Sequence, residues 1–243
     1  MSELIERVKV HFGFTGREVS ELLVTILVVT FIFGFNDGSS EINASRWLFN
    51  FFNMFLIVTL AFLVHVGVQK FIAVWTGHKA EYRMWSFGLA IGVILAISSK
   101  GNLFFFLPGG ILVSILPTHR LGRFRYGLNY GTMGWIAASG PGANVLLGMF
   151  TKQVMNMFGF ANPLMDQLIF INFLIAFFTM LPVPPMDGML LYFGTRLGYA
   201  FCFGIVFGYV VLFLLNIFSL ILALLIGVAA HLAYHFLFEK ENW

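Results

Sequence analysis

The chain alternates long apolar runs with short polar turns. Because an α-helix needs about 20 apolar residues to cross a bilayer, the longest of these runs predict transmembrane helices. We therefore expect an all-α fold, a polytopic transmembrane helical bundle of about six spans. The apolar runs cover about residues 20–35, 47–76, 85–98, 103–117, 130–157, 167–193, 197–216 and 218–237.

The third and fourth runs, at about 85–98 and 103–117, are each short for a complete span. A polar stretch at 98–102 separates them, and the second contains Pro108 followed by two glycines. This pattern predicts a hairpin after the second span. We expect either a re-entrant hairpin or a tight pair of helices.

The first residues have a different pattern, with apolar and charged positions at helical spacing. Residues 2–12 therefore predict a short amphipathic helix on the membrane surface. Thr15 and Glu18 have the spacing of a capping box, which predicts the start of the first span. The expected domains are an amphipathic cytoplasmic segment at 1–20, a single integral-membrane domain at 21–238 and a short tail at 239–243.

Composition supports this interpretation, since 59% of the residues are hydrophobic and 10% are charged. A soluble domain carries roughly 25% charged residues, so the composition excludes a soluble domain and also a disordered chain. Cys202 is the sole cysteine, which excludes an intrachain disulfide. The net charge of +3 fits cationic loops at a membrane face, and we expect no nucleic acid partner.

The charged loops also predict an orientation. Basic residues precede the first span, follow the second, and form a loop after the hairpin at Arg120, Arg123 and Arg125, whereas Asp37 and Glu41 dominate the loop after the first span. Positive loops face the cytoplasm. We therefore expect a multi-pass protein of the cell membrane with both termini cytoplasmic.

Two ionisable residues stand out inside the apolar spans, His65 and Asp187. Each such group costs about 2.5–3.5 kcal/mol at the bilayer centre, so it needs a partner or a function. Pro182, Pro184 and Pro185 precede Asp187 and must unwind the helix there. Two interpretations stay open: Asp187 caps a broken helix while His65 bonds a neighbour, or the two residues form a buried site.

Three segments carry a resemblance to a known family. They are His65-Val-Gly-Val-Gln69, Gly140-Pro-Gly-Ala-Asn144, and Asn172 followed by Leu181-Pro-Val-Pro-Pro-Met-Asp-Gly188. In order and spacing, over about residues 60–200, they resemble the archaeal-type site-2 proteases, which are intramembrane zinc metalloproteases. Leu107-Pro-Gly-Gly110 lies where that family has its hairpin.

The resemblance implies which residues correspond to the family's zinc site. There, two histidines of an HExxH segment and a distant aspartate bind zinc, and the glutamate is the general base. His65, Gln69 and Asp187 stand at the ligand positions, Val66 stands at the base position, and Thr179 replaces an asparagine. Valine takes no proton and an amide binds zinc poorly. The resemblance therefore implies a vestigial metal site without a catalytic residue.

The function implied is a divergent member that has become a pseudoprotease. We expect it to act as a helix-binding scaffold or accessory subunit of a membrane complex, with lipid and other transmembrane proteins as partners and no cofactor. The alternative is an active zinc protease with non-standard ligands that cleaves transmembrane segments. A transporter or channel is a weaker third possibility. The residues expected in the substrate or partner groove are Asn144, Asn172, Pro182, Pro184 and Pro185.

Other polar residues have two interpretations each. His231 and His235 are spaced i, i+4, which suits a metal, yet histidines at a helix end commonly face headgroups. His65 and Asp187 are expected to form a buried hydrogen-bonded pair that Gln69 could join. Gly140–Asn144 contacts substrate in the family, but its small residues could instead serve close helix packing, with Asn144 satisfying backbone opened near Pro141. His78 and His119 are expected to be ordinary polar loop residues.

Overall fold

A computed structural model describes residues 2–36, 43–116, 129–217 and 219–239. The predicted acidic loop with Asp37 and Glu41, and the predicted basic loop with His119, Arg120, Arg123 and Arg125, lie outside these residues, as does most of the predicted tail. The described part is mostly helical. Its helices are α1 (Ser2–His11), α2 (Gly16–Gly34), α3 (Ala44–Trp75), α4 (Ser86–Ser98), α5 (Tyr130–Phe158), α6 (Pro163–Thr179), α7 (Asp187–Gly194), α8 (Arg196–Leu214) and α9 (Leu220–Tyr234), which continues as a π-helical turn at His235–Glu239.

Three helical segments are long and apolar enough to cross a membrane: α3, α8, and Leu220–Phe238. This finding indicates a membrane protein. Two other apolar helices, α4 and α6, are shorter than a full span. The number of spans and their orientation therefore stay predictions.

The helix ends follow the sequence closely. The predicted capping box at α2 is confirmed, because the Thr15 hydroxyl accepts from Glu18 N and the Glu18 carboxylate accepts from Thr15 N. At the other end of α2, two side chains of α3 bind the last carbonyl oxygens. Trp47 Nε1 donates to Phe35 O at 3.2 Å, and Asn50 donates to Gly34 O.

The expectation of an all-α fold is wrong in one place, since the described residues include a two-stranded antiparallel sheet. Strand β1 (His78–Met84) pairs with β2 (Gly109–Ile115), with Tyr82 opposite Ile111. In β1, buried positions alternate with positions that are less buried. In the sequence, the charged residues Lys79, Glu81 and Arg83 repeat every second position, which is typical of a strand. This signal was overlooked in the prediction of an all-α fold.

The predicted tight pair of helices at 85–117 is also wrong. The first run forms α4, whereas the second has no helix or strand at 102–108 and then forms β2. Gly109 has a φ of +119°, and a Cβ there would collide with Arg83 O. Backbone of this kind cannot continue a helix, so it pairs with β1 instead. Whether this region re-enters the membrane stays a prediction.

The predicted interruption of the 167–193 run is confirmed. Helix α6 ends at Thr179 and α7 begins at Asp187, with an unwound segment at 180–186. The prolines remove the backbone donors that a helix would need. The segment folds back tightly, since a Cβ at Gly188 would collide with Met180 O. Asp187 is thereby directed into the bundle, where its side chain is buried against α3 and β2.

Candidate metal-type site

The residues that the sequence singled out meet at one buried place. His65 and Gln69 lie one turn apart on the same face of α3, and Asp187 is the first residue of α7. All three side chains are almost completely inaccessible to solvent. The structure therefore brings together the three positions that correspond to the ligands of the resembled family.

Asp187 accepts three hydrogen bonds. His65 Nε2 lies 2.9 Å from Oδ2, Gln69 Nε2 donates to the same oxygen at 2.9 Å, and Ile111 N donates to Oδ1 at 3.2 Å. The predicted hydrogen-bonded pair, with Gln69 joining it, is confirmed. The idea that Asp187 caps the broken helix is wrong, because its side chain makes no capping bond in α7 and instead binds α3 and β2.

Gln69 has a second task, which explains why an amide suits this position. Pro141 in α5 has no N–H, so the carbonyl group of Ala137 loses its helical partner. Gln69 Nε2 donates to Ala137 O at 2.8 Å and replaces that bond. The expectation that Asn144 satisfies the opened backbone is therefore wrong. Neither amide atom of Asn144 has a hydrogen-bond partner within the described part of the chain.

Glycines allow these elements to approach one another. A Cβ at Gly140 would lie 2.6 Å from His65 Nε2 and 2.7 Å from Gln69 Nε2. A Cβ at Gly110 would collide with Pro185 O and lie 3.0 Å from Asp187 Oδ1. The sequence prediction of close helix packing at Gly140 is confirmed, and packing at this position also shapes the site.

The arrangement does not fit zinc. Because Gln69 Nε2 faces two acceptors, Ala137 O and Asp187 Oδ2, the amide presents N–H donors to the site and not a lone pair. Only His65 and Asp187 are conventional ligands, and they are bonded to each other. Among the described residues, no group of three or more His, Cys, Asp or Glu could hold a metal ion.

Val66, which stands at the general-base position of the resembled family, is closed to solvent. Val66 is completely buried, and it belongs to an apolar cluster that includes Phe62, Tyr82 and Phe106. A carboxylate at this position would be surrounded by hydrocarbon. The site therefore lacks the group, and the open environment, that would activate a water molecule.

The predicted groove residues have two environments. Asn144 and Asn172 are completely buried. Asn172 Nδ2 donates to Leu168 O at 2.8 Å, whereas its Oδ1 has no partner among the described residues. Pro182, Pro184 and Pro185 are exposed on the unwound segment. The prolines thus form an exposed surface beside the site, whereas the two asparagines are buried polar side chains within the bundle.

The remaining histidines are elsewhere. His231 Nδ1 lies 3.2 Å from Leu197 O, and its ring packs edge-on against Phe201, so it serves contact between α8 and α9. His235 lies at the start of the π-helical turn. His78 is not a loop residue as expected, because it is buried in β1 with Nδ1 3.2 Å from Thr76 Oγ1. Burial lowers the pKa of His78 from its ordinary value.

Sequence analysis missed a second buried polar cluster on the other side of the sheet. Lys70 Nζ donates to both carboxylate oxygens of Glu18, at 2.9 and 2.7 Å, and both side chains are buried. Glu18 Oε1 also accepts from Tyr82 N at 3.0 Å, and Lys70 lies over the Phe14 ring. A lysine within the long apolar run of α3 was the available signal, since such a charge requires a partner.

Comparison with known proteins gives one informative similarity. The chain is 29% identical over 180 residues to a protein of Methanocaldococcus jannaschii named "Putative zinc metalloprotease MJ0611", and the alignment covers 73% of this chain and 84% of that protein. No family model and no solved structure matches the chain. This similarity supports a metalloprotease-like family for this chain.

Proposed function

We propose that this protein is a site-2-protease-like membrane protein that does not hydrolyse peptide bonds and instead binds transmembrane segments. It would act as a helix-binding scaffold or as an accessory subunit of a membrane complex. The observation that carries the proposal is the hydrogen bonding of Gln69, which directs its N–H donors to Asp187 and Ala137 O. The position of the second metal ligand therefore repels a cation.

Loss of hydrolysis follows from the groups that remain. Metal-assisted hydrolysis needs a bound cation to activate water and a base to take its proton. Here His65 Nε2 and Asp187 Oδ2 are bonded to each other, and Val66 offers no base. Base catalysis alone contributes about 10²–10⁴-fold to a rate. We accordingly propose that the protein holds no zinc and no other cofactor.

Binding of a polypeptide is supported by groups beside the site that still have hydrogen-bonding capacity. In an antiparallel pair the outward backbone groups alternate, so Val113 of β2 points to the same outer edge as Ile111. Ile111 N is bound by Asp187, whereas among the described residues we find no partner for the outward amide of Val113. An extended segment can pair with such an edge. The exposed prolines at 182–185 flank this surface.

The cellular setting is part of the same proposal. We infer a multi-pass protein of the cell membrane with both termini cytoplasmic, surrounded by lipid and in contact with other transmembrane proteins. The support is the positive-inside pattern of the loops together with the three apolar helices. We expect no nucleic acid partner for a protein of this kind.

The metal content of the purified protein tests the loss of function. We expect far less than one zinc per chain by plasma mass spectrometry after purification with added zinc. We expect Gln69→His, alone or together with Val66→Glu, to gain zinc. Because Val66→Glu places a carboxylate in an apolar cluster and could unfold the chain, the single variant keeps the test valid.

The opposite result would favour the alternative, an active protease with non-standard ligands. Stoichiometric zinc in the natural protein that disappears in both His65→Ala and Asp187→Ala would overturn the proposal. His231→Ala is the matched control, since this histidine lies at the α8–α9 contact and not at the site. Cleavage of a transmembrane reporter that depends on Asp187 would have the same consequence.

Cross-linking tests the binding surface. A photoreactive amino acid at Leu112 of β2, which is 60% exposed, should cross-link to single-span membrane proteins in native membranes. The same group at Phe87 of α4 is 64% exposed and serves as the control. Products at Leu112 that exceed those at Phe87 and decrease in Asn144→Leu would support the proposal. Equal products at both positions would contradict it.

A further inference from the structure

A crevice of about 530 Å³ lies where the end of α1, the start of α2 and one end of the sheet meet. Its lining includes Val10, His11, Lys79, Ser114 and Ile115. Lys79 and Ser114 are opposite each other in the strand pair, so both strands contribute to the crevice. The volume is within the range of about 300–1,000 Å³ that ligand pockets have.

The position of the crevice along the bundle follows from the Glu18–Lys70 ion pair. This pair joins the first turn of α2, beside the crevice, to α3 shortly before its end at Trp75. From Lys70 to Trp75 is about 8 Å of helix. Because α3 is long and apolar enough to cross a membrane and the Trp75 side chain is 60% exposed, Trp75 marks a membrane interface. We infer that the crevice lies at the level of the lipid headgroups.

The crevice carries a positive charge that a ligand can reach. The Lys79 side chain is 36% exposed, and its Nζ lies 2.6 Å from Glu81 Oε1. Glu81 Oε2 also accepts from Arg83 at 2.8 Å, so this carboxylate keeps a cationic partner when Lys79 turns toward a ligand. An ammonium group has three N–H donors, so Lys79 can also bind Glu81 and a ligand together. The nearby Glu18 carboxylate is completely buried, and its charge is compensated by Lys70.

The rest of the lining is suited to an amphiphile. His11 offers a ring N–H donor, and Ser114 offers a hydroxyl group. Val10 is apolar and yet 72% exposed, and the partly exposed Phe14 and Ile115 also line the crevice. An inorganic anion would leave these apolar side chains uncovered, whereas the glycerol group and the first methylene groups of a lipid would cover them.

We propose that this crevice binds the phosphate group of an anionic membrane phospholipid. Lys79 donates to a phosphate oxygen, His11 and Ser114 supply further donors, and Val10 and Ile115 contact the glycerol region. Phosphate oxygens are strong acceptors for charged N–H donors, and basic residues at a membrane surface attract anionic lipids. The site does not depend on the helix-binding function proposed above.

Native mass spectrometry of the full chain in detergent tests the proposal. Phosphatidylglycerol, which is anionic, and phosphatidylcholine, which has no net charge, are titrated separately. We expect phosphatidylglycerol to bind more tightly. In Lys79→Gln its binding should weaken about five-fold, the effect of one basic residue near anionic lipid. Lys152→Gln is the matched control and should bind as the natural chain does. Lys152 is also ion-paired, but it lies in the second half of α5, which runs antiparallel to α3 and so ends away from the crevice.

A variant that introduces a carboxylate gives the second arm. Ser114→Glu places this group opposite Lys79 in the sheet, where it pairs with the cation and repels phosphate, so the preference for phosphatidylglycerol should be lost. Ser98→Glu is the charge-matched control and should keep the preference. Ser98 is exposed at the end of α4, close to Gly101, which contacts Asn36 beyond the far end of α2.

Inorganic phosphate, added at constant ionic strength, separates the two sources of this chemistry. A lipid site should keep its phosphatidylglycerol, whereas displacement by inorganic phosphate would overturn the assignment to a lipid. Equal binding of the two lipids, or binding that is unchanged in both Lys79→Gln and Ser114→Glu, would overturn the proposal as a whole.

Discussion

Two buried carboxylates flank the small sheet from opposite sides. Glu18 accepts the backbone N–H of Tyr82 at the outer edge of β1, and Asp187 accepts that of Ile111 at the outer edge of β2. Tyr82 and Ile111 are direct partners in the sheet. Each carboxylate also binds side chains from α3. The two clusters are therefore equivalent in position, and their differences are chemical.

The first difference is charge. Glu18 is paired with the ammonium group of Lys70, whereas Asp187 is held by the neutral amide groups of Gln69 and Ile111 and by His65. A positive charge reaches Asp187 only when His65 is protonated. The Glu18 cluster is thus a compensated ion pair, and the Asp187 cluster depends on hydrogen bonds.

The second difference is the number of buried side-chain atoms that have no hydrogen-bond partner. His65 Nδ1 and Gln69 Oε1 are buried without a partner in the described residues, while no side-chain atom of Glu18 or Lys70 is left in that state. A saturated cluster stabilises the fold, whereas unsatisfied buried groups are expected at functional sites. The comparison teaches that burial alone does not distinguish the two clusters, and that unpaired buried side-chain atoms do.

The strongest test of this comparison is Lys70→Met. It leaves the Glu18 carboxylate buried without its cation, and such a loss costs about 3–5 kcal/mol. We expect a decrease of that size in the free energy of unfolding, measured by SDS titration in mixed micelles. The double variant Glu18→Gln with Lys70→Met should recover much of the loss. A Lys70→Met effect below about 1 kcal/mol would contradict a compensated ion pair.

Asp187→Asn should cost less, about 2 kcal/mol by the same titration. Its Oδ1 can still accept Ile111 N, but the new amide N–H groups face Gln69 Nε2, and no uncompensated charge remains. If this variant is as destabilising as Lys70→Met, the proposed difference in charge is wrong. Asp166→Asn, on the exposed first turn of α6, is the control and should leave the free energy of unfolding unchanged.

Gly140→Ala should have a smaller effect, about 1.5 kcal/mol, because overpacking a closed contact costs about 1–3 kcal/mol. The added Cβ would press against His65 and Gln69 and separate α3 from α5. Gly142→Ala, two residues further along the same helix, meets open space and is the matched control. Equal stabilities of the two variants would show that the site tolerates expansion.

Glu81→Gln should have the smallest effect, at most about 1 kcal/mol at neutral pH. The hydrogen bond from Lys79 lowers the pKa of Glu81 below its ordinary value despite partial desolvation, and Arg83 adds to the effect. The stabilisation is present above the ordinary value of 4.5 and is lost as the pH falls through the lowered pKa. Unfolding curves at pH 7 and pH 3.5 should therefore differ more for the natural chain than for the variant.

Local features of the sequence were enough for most of the helices. The capping box at Thr15, the proline break before Asp187 and the spacing of His65 and Gln69 act over a few residues, so periodicity and propensity define them. The sheet was missed because β1 is short and its partner lies beyond α4. The role assigned to Asn144 was wrong because the carbonyl group that Pro141 leaves without a partner, Ala137 O, faces α3. Spacing within one helix does not predict which side chains of another helix lie opposite it.

By itself, the sequence determined that this is an apolar helical chain with His65, Lys70 and Asp187 inside its apolar runs. It also showed that the glutamate and second histidine of the resembled family are missing. Only the tertiary structure decided how the buried polar groups pair. Lys70 reaches Glu18 across 52 positions, and Gln69 reaches Asp187 across 118. A charged residue within an apolar run shows from the sequence alone that it needs a partner, because burying an unpaired charge costs free energy. Which partner it finds depends on how helices approach in space, and at this site that depends on Gly140 and Gly110.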